Sequence, residues 1–155
     1  MTGKIEARLK ELGLDIPTPA APAANYVPYV VSGRQVFLAG QITLWNGELK
    51  HVGKLGAGLE LKDGQAAARI CALNLIAQAK AACGGDLDRL VRWIKINGYV
   101  NSDTFFTDQP KVMNGASDLL VEVFGERGRH ARAAVGVASL PFGVAVEIDG
   151  VFEIV

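Results

Sequence analysis

In the stretch GRHARAAVGVASLP, residues 128–141, one permanently charged side chain, Arg132, sits among small and branched apolar residues. A guanidinium is a planar fork of N–H donors that meets a carboxylate or phosphate with two parallel hydrogen bonds. Strand periodicity puts His130, Arg132, Ala134, Gly136 and Ala138 on one face. The small neighbours leave volume for a ligand or for another chain, so Arg132 has the makings of an anion clamp. Pairing with a carboxylate of its own chain is the alternative. The second candidate is Glu147 in GVAVEIDGVFEIV. A carboxyl group tuned by burial acts as a general base or orients a water; the alternative is a solvated, outward-facing carboxylate. If the two strands form a hairpin turning at Pro141-Phe142, Glu147 lies opposite Gly136. That is four residues, about 13 Å, from Arg132. A bulge, a bent strand or an intervening ligand is then needed to unite the two charges.

The remaining reactive types form no comparable constellation. GKLGAG, residues 53–58, matches neither GxGxxG nor a P-loop and reads as a loop. His51 lies in a polar hairpin without a sequence partner, and His130 reads as a loop-end histidine bordering the Arg132 groove. Cys71 and Cys83 fall in one predicted helix, about 18 Å apart at 1.5 Å rise per residue, too far for a disulfide. No Cys/His cluster has metal spacing, and no motif implies a cofactor. Trp45 and Trp93 read as packing residues.

The elements that must position these groups follow from periodicity. Residues 2–13 predict a short helix with Ile5, Leu9 and Leu12 on one face. Pro17, Pro19, Pro22 and Pro28 make the next stretch an extended connector. Tyr29–Val31 and Gln35–Leu38 predict a hairpin turning at Ser32-Gly33, and Asn46-Gly47 a second, exposed one. Asp63 is the expected N-cap of a helix over residues 64–82, ended by Gly84-Gly85. Residues 90–102 alternate as a strand, with Gly98 as a candidate bulge. Thr107 or Asp108 caps a second long helix reaching about Phe124, and residues 131–139 and 144–154 are the last two strands. Two long helices and a mixed sheet predict a two-layer α+β fold. The 155 residues suit one domain, with 1–26 as helical extension and connector and 27–155 as core.

Sixteen basic and sixteen acidic residues cancel, which gives no electrostatic footprint for nucleic acid or an anionic membrane. The amphipathic N-terminus is unlike a signal peptide, and the apolar run AAARICALNLIAQAKAAC, broken by Arg69 and Lys80, reads as a core helix. Free thiols fit a cytoplasmic location.

HARAAVGVASLP with VAVEIDGVFEIV, QVFLAGQI at 35–42 and DQPKVMNGASDLLVEVFG at 108–125 resemble the RidA/YjgF/YER057c/UK114 family, also called the endoribonuclease L-PSP family. The likeness covers nearly the whole chain after the connector and points to a longer, roughly 150-residue RidA-like subgroup. It implies a chorismate-mutase-like α+β sandwich, two long helices on one face of a mixed sheet, and a homotrimer with ligand clefts between subunits. It further implies hydrolysis of 2-imino acids derived from amino acids to 2-keto acids and ammonia, without a cofactor. On this resemblance Arg132 grips the substrate carboxylate and Glu147 places the water. Tyr29 and the Gly40 backbone line the cleft, and Asn101 supplies its polar edge by a looser match. Where many members carry serine and cysteine after the arginine, this chain has Ala133 and Ala134, and Ala39 replaces a serine before Gly40. Each change makes the cleft less polar. A trimer that binds a small carboxylate without turning it over is therefore the competing expectation. Ribonuclease activity is the weakest, given zero net charge and no acid–base histidine pair.

Overall fold

A computed structural model describes residues 2–22 and 24–155. The chain opens with α1 (Lys4–Glu11), whose Ile5 and Leu9 are buried. After the connector come β1 (Tyr29–Ser32) and β2 (Gln35–Gln41), then β3 (Leu44–Trp45) and β4 (Glu48–Leu49). Short β5 (Lys54–Leu55) and β6 (Gly58–Leu59) precede α2 (Leu61–Ala82). The chain continues through β7 (Leu90–Asn101), α3 (Gln109–Phe124), β8 (Ala131–Val137) and β9 (Val146–Ile154). This is the expected α+β class.

Local chemistry explains most boundaries, with small revisions. The first hairpin turns at Gly33-Arg34, because Ser32 still pairs with Gln35 and Gly33 takes φ +61°. Asn46 and Gly47 both take positive φ, as the tight turn between β3 and β4 demands. Helix α2 starts three residues earlier than expected. Glu60 is its N-cap, and Asp63, at the third helical position, accepts the Glu60 backbone N–H at 2.8 Å in a capping box. Asp108 is the N-cap of α3, though its side chain makes no cap bond. Gly98 is not a bulge. The irregularities of β7 lie between Leu90 and Lys95, and Gly98 is needed because a Cβ there would run into the Met113 side chain on α3.

The five-stranded sheet runs β1-β2-β9-β7-β8. All neighbours are antiparallel except β7 and β8, which are parallel and joined through α3. The expected final hairpin is therefore absent: β8 pairs with β7 on the sheet edge, and β7 separates it from β9. Parallel pairing needs a crossover, and the helical run between β7 and β8 supplies it. Val36, Leu38, Ile96, Val146, Ile148 and Phe152 form the buried face under α2 and α3. Trp93 anchors it edge-on to Phe124, with Phe152 tilted beside it. Cys71 and Cys83 are buried free thiols. Among the described residues no helix is long and apolar enough to cross a membrane.

Candidate functional site

The sheet register decides where the two charged candidates go. Arg132 is level with Ile96 on β7, and Ile96 is level with Gly150 on β9. Glu147 is level with Tyr99, and Tyr99 with Val135. Residues level across a sheet share a face. Arg132 therefore points with buried Ile96 toward the helices, whereas Glu147 points with Tyr99 to the open side. The pair also lies two strands apart and about 10 Å offset along them. One copy of the chain does not bring Arg132 and Glu147 together.

On the helix side, the small-residue face of β8 is covered by the chain's own α3. Next to Gly136 lie Ser102 and Gln109, leaving no room for a Cβ. Further along, Pro110, Asn114 and Ser117 follow one another by four and three residues, so they share one face of α3. Arg132 Nη1 donates to Asn114 Oδ1 at 3.0 Å and to Ser117 Oγ at 3.1 Å, and Nη2 to the Pro110 carbonyl at 3.2 Å. All three acceptors are neutral, and Arg132 forms no ion pair among the described residues. The half-buried guanidinium is thus oriented while its charge stays uncompensated.

Behind it, His130 Nε2 lies 2.9 Å from Ser117 Oγ, and Nδ1 lies 2.6 Å from the Gly128 carbonyl. A carbonyl only accepts, so Nδ1 carries the proton and Nε2 accepts from the Ser117 hydroxyl. Burial holds the imidazole below its ordinary pKa, and the nearby Arg132 charge adds to this, against the opposing Gly128 hydrogen bond. The neutral tautomer leaves a Ser117 lone pair for Arg132. Sequence reasoning missed Asn114 and Ser117. Their spacing in VMNGASDLL was the available signal.

On the open side, Glu147 lies against Gly40 so closely that a Cβ at Gly40 would overlap its Oε1. Both line a cavity of about 460 Å³ with Ala39 and Gln41 of β2. The Glu147 carboxylate accepts no hydrogen bond among the described residues. Desolvation raises its pKa above the ordinary range, and the Asp149 charge adds to the effect. Asp149 itself accepts Asn97 Nδ2 at 2.8 Å and the Tyr99 hydroxyl at 3.1 Å.

The other expected residues play different parts. Tyr29 pairs with Leu38 and packs on the core; Pro28 and Tyr26 line the cavity instead. Asn101 belongs to the interior of a single copy. It is buried, donates to the Gly53 and Val144 carbonyls at 3.0 and 3.2 Å, and accepts Lys54 Nζ at 2.8 Å. Three other carboxylates, Glu6, Asp86 and Asp88, converge near the N-terminus. Backbone donors already engage them: Asp88 takes the Lys4 and Ile5 N–H groups, which lower its pKa, and Glu6 takes that of Leu87.

This architecture has known relatives. The family described as "YjgF/chorismate mutase-like, putative endoribonuclease" matches residues 6–148. The chain belongs to that family. Protein TCP17 of Trypanosoma cruzi is 53% identical over 154 residues, covering 99% of this chain and 96% of TCP17. The crystal structure of Atu1372, a protein of unknown function from Agrobacterium tumefaciens, has 48% identity and a TM-score of 0.92. It covers 97% of this chain and 92% of its own. RidA from the Antarctic bacterium Psychrobacter sp. PAMC 21119 is more distant, at 29% identity and a TM-score of 0.59 over 90% of this chain and 96% of RidA. These matches bear out the resemblance of the sequence to the RidA/YjgF/UK114 family and its chorismate-mutase-like fold.

Proposed function

We propose that the chain is an imine deaminase that hydrolyses 2-imino acids to 2-keto acids and ammonia, working as a homotrimer with sites shared between neighbouring copies. The observation that carries this reading is the separation of Arg132 and Glu147 onto opposite faces. An anion clamp without a counter-charge and a carboxylate without a donor each make half a site. A second copy placed against the first supplies the missing half. Val30, Phe37 and Val135 are about half exposed, at 53%, 44% and 48%, and the register puts all three on the helix-free face. Apolar groups so placed fit burial against another copy.

In this account Arg132, held by Asn114 and Ser117, takes the substrate carboxylate. Glu147 of the neighbouring copy orients a water and accepts its proton as oxygen attacks the imine carbon. That proton passes to nitrogen to give a carbinolamine; its hydroxyl proton then follows to nitrogen by the same carboxylate as the carbon–oxygen double bond forms and the carbon–nitrogen bond breaks, so ammonia leaves and the 2-keto acid remains. A carboxyl held above its ordinary range suits this exchange, since it gives back the proton it takes. The step uses no group beyond the chain and water.

Ala134 favours a second reading. It shares Arg132's face and offers no donor to a reacting group, so a trimer that binds a small carboxylate without hydrolysis also fits. Ribonuclease chemistry gains little: both ring nitrogens of His130 are engaged, by Ser117 and by the Gly128 carbonyl, and His51 lies in a separate loop.

The test is ammonia release from freshly generated 2-iminopropanoate and 2-iminobutanoate. Wild type accelerates it, and Arg132→Ala loses about a hundredfold or more, since two charge-assisted hydrogen bonds go. Equal rates for the two proteins overturn the reading. Keto-acid binding lost with Arg132, with no hydrolysis by wild type, selects the binding trimer.

A further inference from the structure

The cavity above Glu147 is far larger than a methyl or ethyl side chain requires. Its volume of about 460 Å³ lies within the range of small-molecule pockets. Water takes about 30 Å³ per molecule, so an imino acid derived from alanine would leave most of the space to solvent. The walls oppose that outcome. Leu44 and Leu49 form one side, Tyr26, Pro22 and Pro28 of the connector form the roof, and Phe142 stands at the mouth.

The polar groups in the wall are mostly engaged with the wall itself. Asn74 Nδ2 contacts the carbonyls of Leu44, Ile70 and Ile42 at 2.7, 3.1 and 3.3 Å. Gln78 Nε2 donates to Ala20 at 3.1 Å, and Gln41 Nε2 to Ala39 at 3.0 Å. The Gln78 bond to Ala20 and the Thr18 N–H donating to Asn46 Oδ1 at 2.9 Å tie the connector down over the cavity. Glu147 is the one charged residue among the described lining residues. Phe142 keeps a left-handed backbone, φ +58°, although it is 75% exposed. Such strain at a site's mouth in a non-glycine residue points to a positioned side chain.

We propose that this cavity is a side-chain pocket selecting imino acids, and their keto-acid products, with a branched or aromatic side chain of four or more carbons. The inference rests on the deaminase reading. It adds that the apolar side chain enters under the connector while the reacting carbon stays beside Glu147. Discrimination comes from apolar burial, since the wall amides have few donors to spare.

Calorimetric titration of the full-length protein with pyruvate, 4-methyl-2-oxopentanoate and phenylpyruvate tests it. Each buried methylene contributes about fourfold in affinity, so 4-methyl-2-oxopentanoate binds at least about tenfold more tightly than pyruvate. Ala39→Leu fills the cavity and removes this preference. Leu49→Ala enlarges it and shifts preference toward phenylpyruvate. The two variants push in opposite directions, and thermal melting reports whether each is folded. Equal affinity for all three acids, or a preference for pyruvate, overturns the pocket even if imine hydrolysis and its dependence on Arg132 hold. Imine hydrolysis that ignores Arg132→Ala overturns the deaminase reading whatever the size preference.

Discussion

The two faces of this sheet carry charge in opposite ways. On the helix side Arg132 has acceptors from α3 and, among the described residues, no counter-ion; its direction is set before any ligand arrives. On the open side Glu147, among the described residues, has neither donor nor counter-ion, and it lies half-buried against Gly40. Pre-organisation belongs to the first region and unmet demand to the second. A charge that is oriented but uncompensated waits for a ligand of opposite sign. Burial, with the Asp149 charge beside it, raises the pKa of the Glu147 carboxyl, which favours its holding a proton for exchange.

The contrast is sharpened most by Glu147→Gln. Losing a water-orienting base lowers the rate of imine hydrolysis by about a hundredfold. The same change leaves fold stability intact or higher at neutral pH. The folded chain binds the Glu147 proton more tightly than the unfolded chain does. Stability from the protonated form is present below the ordinary carboxylate range and is lost as pH rises through the raised folded value. Glu147→Gln removes that loss, so melting curves of variant and wild type diverge as pH rises from acid to neutral. A variant that melts lower than wild type at neutral pH would show that Glu147 has a stabilising partner and break the contrast.

Asn101→Ala tests whether this buried amide serves the fold or the cleft. It strands the Gly53 and Val144 carbonyls and takes one acceptor from Lys54, and costs about 2–3 kcal/mol by denaturant melting. Substrate affinity of the folded fraction stays unchanged; a selective loss of affinity would return Asn101 to the cleft. The smallest effect is expected for Ser117→Ala. Arg132 loses one of three acceptors, and keto-acid affinity falls about fivefold, near the worth of one hydrogen bond. Unchanged affinity would mean that Asn114 and Pro110 alone orient the guanidinium.

Much of this was legible in the sequence because the signals are local. Asn46-Gly47 specified its turn, Pro110 and Asp108 marked the start of α3, and alternation in LVRWIKINGYVN gave β7. Arg132 stood out as a charge among small residues. What stayed hidden was non-local. No local signal says that β7, formed earlier in the chain, comes between β8 and β9. An apparent final hairpin thus turns out to be two strands on either side of a third. That single insertion moved Glu147 from a position opposite Gly136 to the row of Tyr99, and it separates the faces used by Arg132 and Glu147. Asn101 and Asn114 illustrate the same limit. Both are asparagines near the Arg132 strand, but only the three-dimensional path of α3 shows that Asn114 meets the guanidinium while Asn101 is spent on three structural hydrogen bonds.

The central claim is that one working site takes Arg132 from one copy and Glu147 from its neighbour. Mixing the two inactive variants, Arg132→Ala and Glu147→Gln, tests it directly. Equal amounts are unfolded together, refolded, and assayed for ammonia release from 2-iminobutanoate. In randomly assembled closed rings about a quarter of the sites join an intact Arg132 to an intact Glu147, so about a quarter of wild-type activity returns. Activity that stays at the level of the separate variants, with mixed assembly verified by mass, would place both groups in sites built within single chains and contradict the account.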